Sequence, residues 1–419
     1  MVDGSANHKH DRNPMTLAPF ARPAERMGAI APSPIRAIFD KAAALEAEGN
    51  TIYHFEIGRP DFDTPQVIKD ATNASLARGD VHYGPNAGTL DLRSAISDFL
   101  AERRGTRYNP ANEILVTIGA NEAIMLAIMA YCGPGDEVIV MVPAWSHYQS
   151  CIRLAGATPV EIQLDASNNY AIDFDALTGA ITPRTRMVIL CTPNNPTGSV
   201  VPAGDIHRLA SVLAETNALL VSDEIYADLV YGNAEHLSPA TIDTLRERTL
   251  VVGGFAKAFA MDGWRLGWIA GPSELITPCL RVRQYTTVCP PTFLQAGAAA
   301  ALRDARGEME SMRQAFDDRR SAGLALLTGI EGVSVSAPDG AFYLYVTYSP
   351  NLAEPAPQFA LRLLDEQHVA LVPGTAFDET GGEYSLRISY ACALDDLAEG
   401  ITRLVAALTS STRLTGIPA

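Results

Sequence analysis

Apolar positions along the chain follow two periods. Ile35, Ile38, Phe39, Ala42 and Leu45 recur at helical spacing behind Ser33-Pro34, and Gly49 supplies a stop, so a first helix is predicted there. From Ile114 to Ala270 the pattern changes to short, unbroken runs rich in Val and Ile: Ile114 to Ile118, Val138 to Val142, Met187 to Leu190, Leu219 to Val221, Leu250 to Val252 and Leu266 to Ala270. Strands that are apolar on both faces belong to sheets covered on both sides, and helix-like stretches at Glu122 to Met129 and Ile206 to Ala214 lie between several of them. The pattern predicts an α/β domain with a largely parallel sheet. After Pro290-Pro291 the chain turns charged and helical through Met309 to Leu327, a candidate domain-joining helix. Strands at Val333 to Val335, Phe342 to Val346, Ala370 to Val372 and Tyr384 to Ile388, with helices near Gln358 to Asp365 and Asp395 to Leu408, then predict a compact α+β domain. The expected organisation is a mobile arm over residues 1–20, an N-terminal part of the small domain over 21–57, a large domain over 58–305, and a linking helix with the C-terminal small domain over 306–419.

Length and composition narrow the function classes. A chain of 419 residues exceeds what one hydrophobic core usually supports, which agrees with two packed domains. Acidic residues outnumber basic ones 48 to 32, a net charge of -16 that repels nucleic acid and anionic lipid alike, so neither is expected as a partner. No apolar run reaches the roughly 18 residues of a membrane helix. The six cysteines are scattered without a C-x-x-C pair or zinc spacing, and His8 and His10 have no further ligands nearby, so no metal site is expected and reduced thiols in a cytoplasm account for the cysteines. The polar N-terminus lacks the apolar core of a secretory signal.

Chemistry concentrates after the apolar runs. Lys257 follows Leu250 to Val252 within Gly253-Gly254-Phe255-Ala256-Lys257-Ala258-Phe259, where apolar surroundings would lower an amine's pKa and favour attack on an aldehyde. Alone, this lysine could equally extend from a loop into water. Eight residues on, Arg265 in Met261-Asp262-Gly263-Trp264-Arg265-Leu266-Gly267-Trp268 could hold an anion near it. The stretch Phe255 to Trp268 resembles the cofactor-lysine signature of class I/II aminotransferases, of the aspartate-aminotransferase type. That resemblance implies pyridoxal 5'-phosphate held by Lys257 as a Schiff base, with Arg265 on its phosphate, and a fold type I architecture whose large domain carries a mostly parallel, seven-stranded sheet.

Further segments extend the resemblance over about residues 30 to 405. Ser222-Asp223-Glu224-Ile225-Tyr226 follows a strand, at the end where ligands of parallel sheets collect. In the family's terms Asp223 pairs with the pyridine nitrogen and Tyr226 bonds the ring 3-oxygen. Pro193-Asn194-Asn195-Pro196-Thr197-Gly198 resembles the family's Asn-Pro-x-Gly turn and maps the second 3-oxygen partner onto Asn195. Gly119-Ala120-Asn121 opens a helix after a strand, where free N–H groups and the helix dipole suit a phosphate. Trp145 matches the aromatic stacked on the ring, with a core tryptophan as the plain alternative. Arg387, in Ser385-Leu386-Arg387-Ile388-Ser389, matches the arginine that binds the substrate carboxylate, although a structural ion pair would also explain it. Gly58 lies in the entry segment Gly58 to Pro65, beside the substrate, and Tyr83 matches the tyrosine that crosses a homodimer interface to the neighbouring phosphate, which implies shared active sites.

The chain departs from the pattern at Gly254, Ala256 and Ala120, where relatives often carry hydroxyls. Each lost hydrogen bond to a charged phosphate removes roughly 1.5 to 3 kcal/mol. No lysine occurs in Gly119 to Glu122 to hold a distal carboxylate, which leaves Arg153, Arg281 and Arg283 as candidate substitutes. Amino transfer between an L-amino acid and a 2-oxo acid is the expected reaction. The alternative is the same cofactor and fold with repurposed chemistry: C–S or β-elimination, decarboxylating deamination, cyclisation or oxidation. A third reading, a DNA-binding regulator that takes the cofactor as an effector, is disfavoured by the acidic charge and by the 30 or so residues ahead of the resemblance.

Overall fold

The computed structural model describes residues 22–32 and 34–410. The expected N-terminal arm, His8, His10 and Ser33 lie outside the described residues. A two-residue strand β1 (Tyr53–His54) comes first, after the helix Pro34–Ala47. Eight strands then build one sheet: β2 (Ile114–Thr117), β3 (Glu137–Val142), β4 (Thr158–Asp165), β5 (Ala171–Ile172), β6 (Thr185–Cys191), β7 (Leu219–Asp223), β8 (Thr249–Gly254) and β9 (Gly267–Ala270). Their order is β2-β9-β8-β7-β6-β3-β4-β5. Pairings through β8, β7, β6, β3 and β4 are parallel, whereas β9 runs antiparallel to both neighbours. The eighth strand, beyond the seven expected, is the two-residue β5, which turns back along the end of β4.

The central strands are buried along their whole length, which is why they read as unbroken apolar runs. Helix Gly119–Tyr131 turns Ala123, Ile124, Ala127 and Ile128 onto one face of the sheet, and helix Ala203–Ala214 turns Ile206, Leu209, Ala210 and Leu213 onto the other. Full burial of an Ile or Leu side chain contributes about 1.5–3 kcal/mol, so these stripes fix both layers.

The strand order reverses between β3 and β6: from β6 the chain proceeds to β7 and β8 on one side, while β3 leads to β4 on the other. Loops at the carboxyl ends diverge there and leave a crevice.

A second sheet is antiparallel and orders β10 (Val333–Val335), β11 (Tyr343–Tyr348), β14 (Ser385–Ser389) and β13 (Val372–Pro373), while β12 (Val369–Ala370) pairs in parallel with β1. Helix Arg306–Leu327 starts beside the large sheet's helices and packs along β10 and β11. The core of this part joins Ile38, Ala42 and Phe55 to Phe316, Phe342, Leu344, Leu386 and Ile388, so residues far apart in sequence close one apolar interior.

Candidate active site

The carboxyl ends of the parallel strands, and the amino end of antiparallel β9, open onto a single cavity of ≈ 460 Å³. Gly119 follows β2, Trp145 and Tyr148 follow β3, Asn195 follows β6, Asp223 ends β7, Lys257 follows β8, and Arg265 precedes β9; all line it. From the antiparallel sheet, β14 contributes Arg387 and β11 contributes Tyr343.

Lys257 sits with its amine near the faces of Tyr226 and Phe342, at 5.8 and 5.7 Å from the ring centroids, and donates to the carbonyl of Gly58. Burial pulls its pKa down to about 8, assisted by Arg387 and Arg265 and opposed by Asp262 and Asp223. At pH 7 roughly a tenth of this amine is therefore unprotonated, hundreds of times more than for an exposed lysine, and that is the form that attacks a carbonyl.

Asp223 is the complementary case. Burial pushes its carboxyl up to about 6, although Tyr148 donates to Oδ2 at 2.7 Å and the amide of Ile225 to Oδ1 at 3.2 Å. A carboxylate held this tightly in a buried wall is stabilised by a cationic partner arriving from the cavity. Tyr148 went unassigned in the sequence, because nothing there shows that the helix His147–Leu154 brings its hydroxyl to β7. Tyr226 shares a 2.8 Å hydrogen bond with Tyr343, another residue without a sequence signal.

Arg387 is buried, and burial lowers its pKa. Nη1 donates to Asn195 Oδ1 at 3.1 Å and Nη2 to the carbonyl of Glu56 at 2.6 Å, while Nε has no hydrogen-bond partner. The structural ion pair considered from the sequence is absent among the described residues: both acceptors are neutral. Tyr343 and Phe377 flank the guanidinium at 4.5 and 4.8 Å from their ring centroids. A buried cation that lines a cavity and has no charged partner suits an incoming carboxylate.

At the far end, Gly119 adopts φ +74°, and a Cβ there would fall 2.8 Å from Arg265 Nη2. The side chain of the N-cap residue Ile118 makes no capping bond, and Glu122 accepts only from the amide of Ile118, so the Gly119-Ala120-Asn121 backbone and Arg265 border the same space. Trp145 stacks on His147 at 4.5 Å between centroids and lines the cavity. Ala120 and Ala256 present methyl groups to it. Gly254 does not line the cavity, and a Cβ there would be crowded, at 3.0 Å from Ile225 Cδ1 and 3.2 Å from the Leu266 carbonyl. Tyr83 does not line the cavity and is 90% exposed. Of the three arginines offered as distal-carboxylate ligands, Arg283 is buried against Glu122, Arg153 lines a neighbouring cavity, and Arg281 lines neither.

The profile described as "Aminotransferase class I and II" matches residues 50–408, and the chain belongs to that family of pyridoxal-phosphate-dependent enzymes. It is an aminotransferase, acting on amino and oxo acids. The bifunctional aspartate aminotransferase and glutamate/aspartate-prephenate aminotransferase of Petunia hybrida is 41% identical over 396 residues, covering 91% of this chain and 82% of the relative. The structure of an aromatic aminotransferase from Pyrococcus horikoshii superposes with a TM-score of 0.82 at 39% identity, covering 84% of this chain and 95% of that one. Aspartate aminotransferase from Thermus thermophilus, solved with maleate, gives 0.87 at 37% identity, covering 93% and 100%. Among the described residues no helix is long and apolar enough to cross a membrane.

Proposed function

We propose that the cavity binds pyridoxal 5'-phosphate on Lys257 and moves an amino group between an L-amino acid and a 2-oxo acid. The observation that carries this reading is the amine of Lys257, with its pKa near 8, in one cavity with Asp223 and Arg387. The donor set suits the cofactor: Arg265 and the uncapped Gly119-Ala120-Asn121 turn for a phosphate, Asp223 for a protonated ring nitrogen, Tyr226 and Asn195 for a phenolic oxygen, and Trp145 for a ring face. When bound, the cofactor supplies an electron sink for the pair left on the substrate's α-carbon as its proton departs.

The protein's residues do the rest. Arg387 holds the α-carboxylate and so orients the α-carbon. With its amine free, Lys257 would take the α-proton on Nζ and give it up to the cofactor's aldehyde-derived carbon, which needs an amine with a pKa near the working pH. Asp223 stays ionised against the ring nitrogen, held by Tyr148. Tyr226 is fixed by its bond to Tyr343. We also propose that two chains form the working unit, with Tyr83 of each reaching the other's phosphate.

Protein reconstituted with pyridoxal phosphate should show a Schiff-base absorbance band and lose it on adding an amino-acid donor, with pyridoxamine phosphate as the product. If Lys257→Ala leaves that band and its conversion unchanged, the reading fails.

A further inference from the structure

Arg387 lies beside a carboxylate and yet has no charged partner. Its Nη2 donates to the backbone carbonyl of Glu56 at 2.6 Å, and the side chain of Glu56, itself 0% exposed, belongs to a residue of the same cavity wall. Burial lowers the Arg387 pKa and the charge of Glu56 is among those that oppose it, so guanidinium and carboxylate already feel each other without forming an ion pair. What occupies Glu56 is His54: Nδ1 lies 2.9 Å from Oε1, while Oε2 is buried with no hydrogen-bond partner. We infer, on the reading of Arg387 as the substrate-carboxylate ligand, that His54 is a positioning residue: by holding the Glu56 carboxylate it keeps that carboxylate off Arg387 and leaves the guanidinium open to substrate.

The backbone fixes this arrangement. Phe55 donates to the Ala370 carbonyl of β12 at 2.8 Å, and its own carbonyl accepts at 2.9 Å from the amide of Ser389 on β14, two residues beyond Arg387. Phe55 turns into the apolar core, and His54 and Glu56 flank it, a spacing that puts both side chains on one side of an extended segment. The second ring nitrogen of His54, Nε2, lies 3.1 Å from Oε1 of Glu46 on the helix Pro34–Ala47. An imidazole between two carboxylates donates to both only when protonated. The His54 pKa, raised to about 9 chiefly by the hydrogen bond to Glu56, keeps it in that form at neutral pH. Glu56 and Glu46 are the charged groups that face it among the described residues. Opposite, β12 offers Ala370 as its register partner, and the helix Leu394–Ser410 meets this segment at Tyr53 and Phe55, where Arg403 stacks on Tyr53 and pairs with Glu399. A buried carboxylate that loses its cation is strongly drawn to another. For Glu56 without a protonated His54, Arg387 is a cation within its field and already on its backbone carbonyl.

The test uses the enzyme loaded with pyridoxal phosphate and butyrate as a monocarboxylate probe, with dissociation constants from calorimetry. At pH 7, His54→Gln should weaken butyrate binding about 10- to 100-fold, the size of a charged contact diverted to Glu56. Adding Glu56→Gln should restore binding to within about 3-fold of the wild type, a rescue that a role of His54 in folding alone does not give. Wild-type binding should also weaken relative to Glu56→Gln as pH rises through about 9 and His54 loses its proton. That comparison leaves His54 in place and decides the matter even where His54→Gln does not fold. A loss that persists in the double variant, unchanged binding in His54→Gln, or equal pH profiles for the wild type and Glu56→Gln overturns the inference. Arg387→Met separates the two readings. If it binds butyrate like the wild type, Arg387 is not the carboxylate ligand and its role in the proposed function fails; if it loses binding while the double variant shows no rescue, only the role of His54 fails.

Discussion

At Lys257, the same burial that readies the amine for chemistry costs stability in the cofactor-free protein. Its pKa in the fold, about 8, lies below the 10.5 of an exposed lysine, so the folded state binds fewer protons than the unfolded one between those values. A depressed lysine contributes stability that is fully present above the unfolded pKa and is lost as pH falls through the folded one. Below pH 8 the penalty is on the order of 1–3 kcal/mol, with cavity water reducing it. Cofactor-free Lys257→Met should therefore melt above the cofactor-free wild type at pH 7, and the gap should shrink toward pH 10. A gap that is constant or widens with pH contradicts this account. The residue scale is also where sequence reading divides. Lys257 and Arg265 were legible because their spacing lies along one stretch of chain, and Asp223 because it ends a buried run. Tyr148 and Tyr343 reach the cavity through approaches between elements far apart in sequence, from a helix and a strand whose local patterns announce only packing.

Among the elements, β8 and β9 explain a departure that looked like a defect. Gly254 pairs in register with Gly267, and a Cβ on Gly267 would lie 2.8 Å from the amide nitrogen of Ala120. These two glycines let the strand leading to Lys257, the strand following Arg265 and the Gly119 turn come into backbone contact. A serine at 254 would be forced against Ile225 and the Leu266 carbonyl, so Gly254→Ser should destabilise by about 1–3 kcal/mol, as overpacking does. Ala256→Ser lines the cavity and should not carry that cost. Thermal melts of the two variants check this, and equal melting temperatures would contradict it. The large sheet was readable because β3, β6, β7 and β8 are buried on both faces. β4 was missed because Glu161, Gln163 and Asp165 face solvent between buried Ile162 and Leu164, an alternation that breaks an apolar run near the sheet's edge. The helices Gln66–Arg78 and Leu90–Arg104 were missed for a related reason: charged faces dilute the apolar stripe that buries Ile68, Leu92, Ile96 and Phe99.

For the whole molecule, the surface around Tyr83 argues that one chain is half of the working enzyme. Val81, Tyr83, Leu90, Tyr285 and Val288 are all exposed. Asn86 donates to the Val288 carbonyl and Thr292 to that of His82, so the two loops carrying most of these residues are tied together into one apolar face. Apolar groups gathered this way mark an interaction surface. A symmetric pairing would bury the same face on both chains and exclude water from the cavity, which strengthens every charged contact inside it. The proposed phosphate end would have most to gain, because Ala120 and Ala256 offer no hydroxyl there and the proposal leaves Arg265, the helix start and the Tyr83 of a second chain to hold it. Sedimentation should report a dimer, and Tyr83→Phe should lower cofactor affinity. Mixing Tyr83→Phe with Lys257→Ala subunits distinguishes a shared site from a merely adjacent one. If Tyr83 serves the neighbouring chain, each mixed dimer holds one site with both lesions and one with neither, and activity rises above that of either parent. If each site is built from one chain, every site in the mixture keeps a lesion, and proven subunit exchange without recovery refutes the crossing.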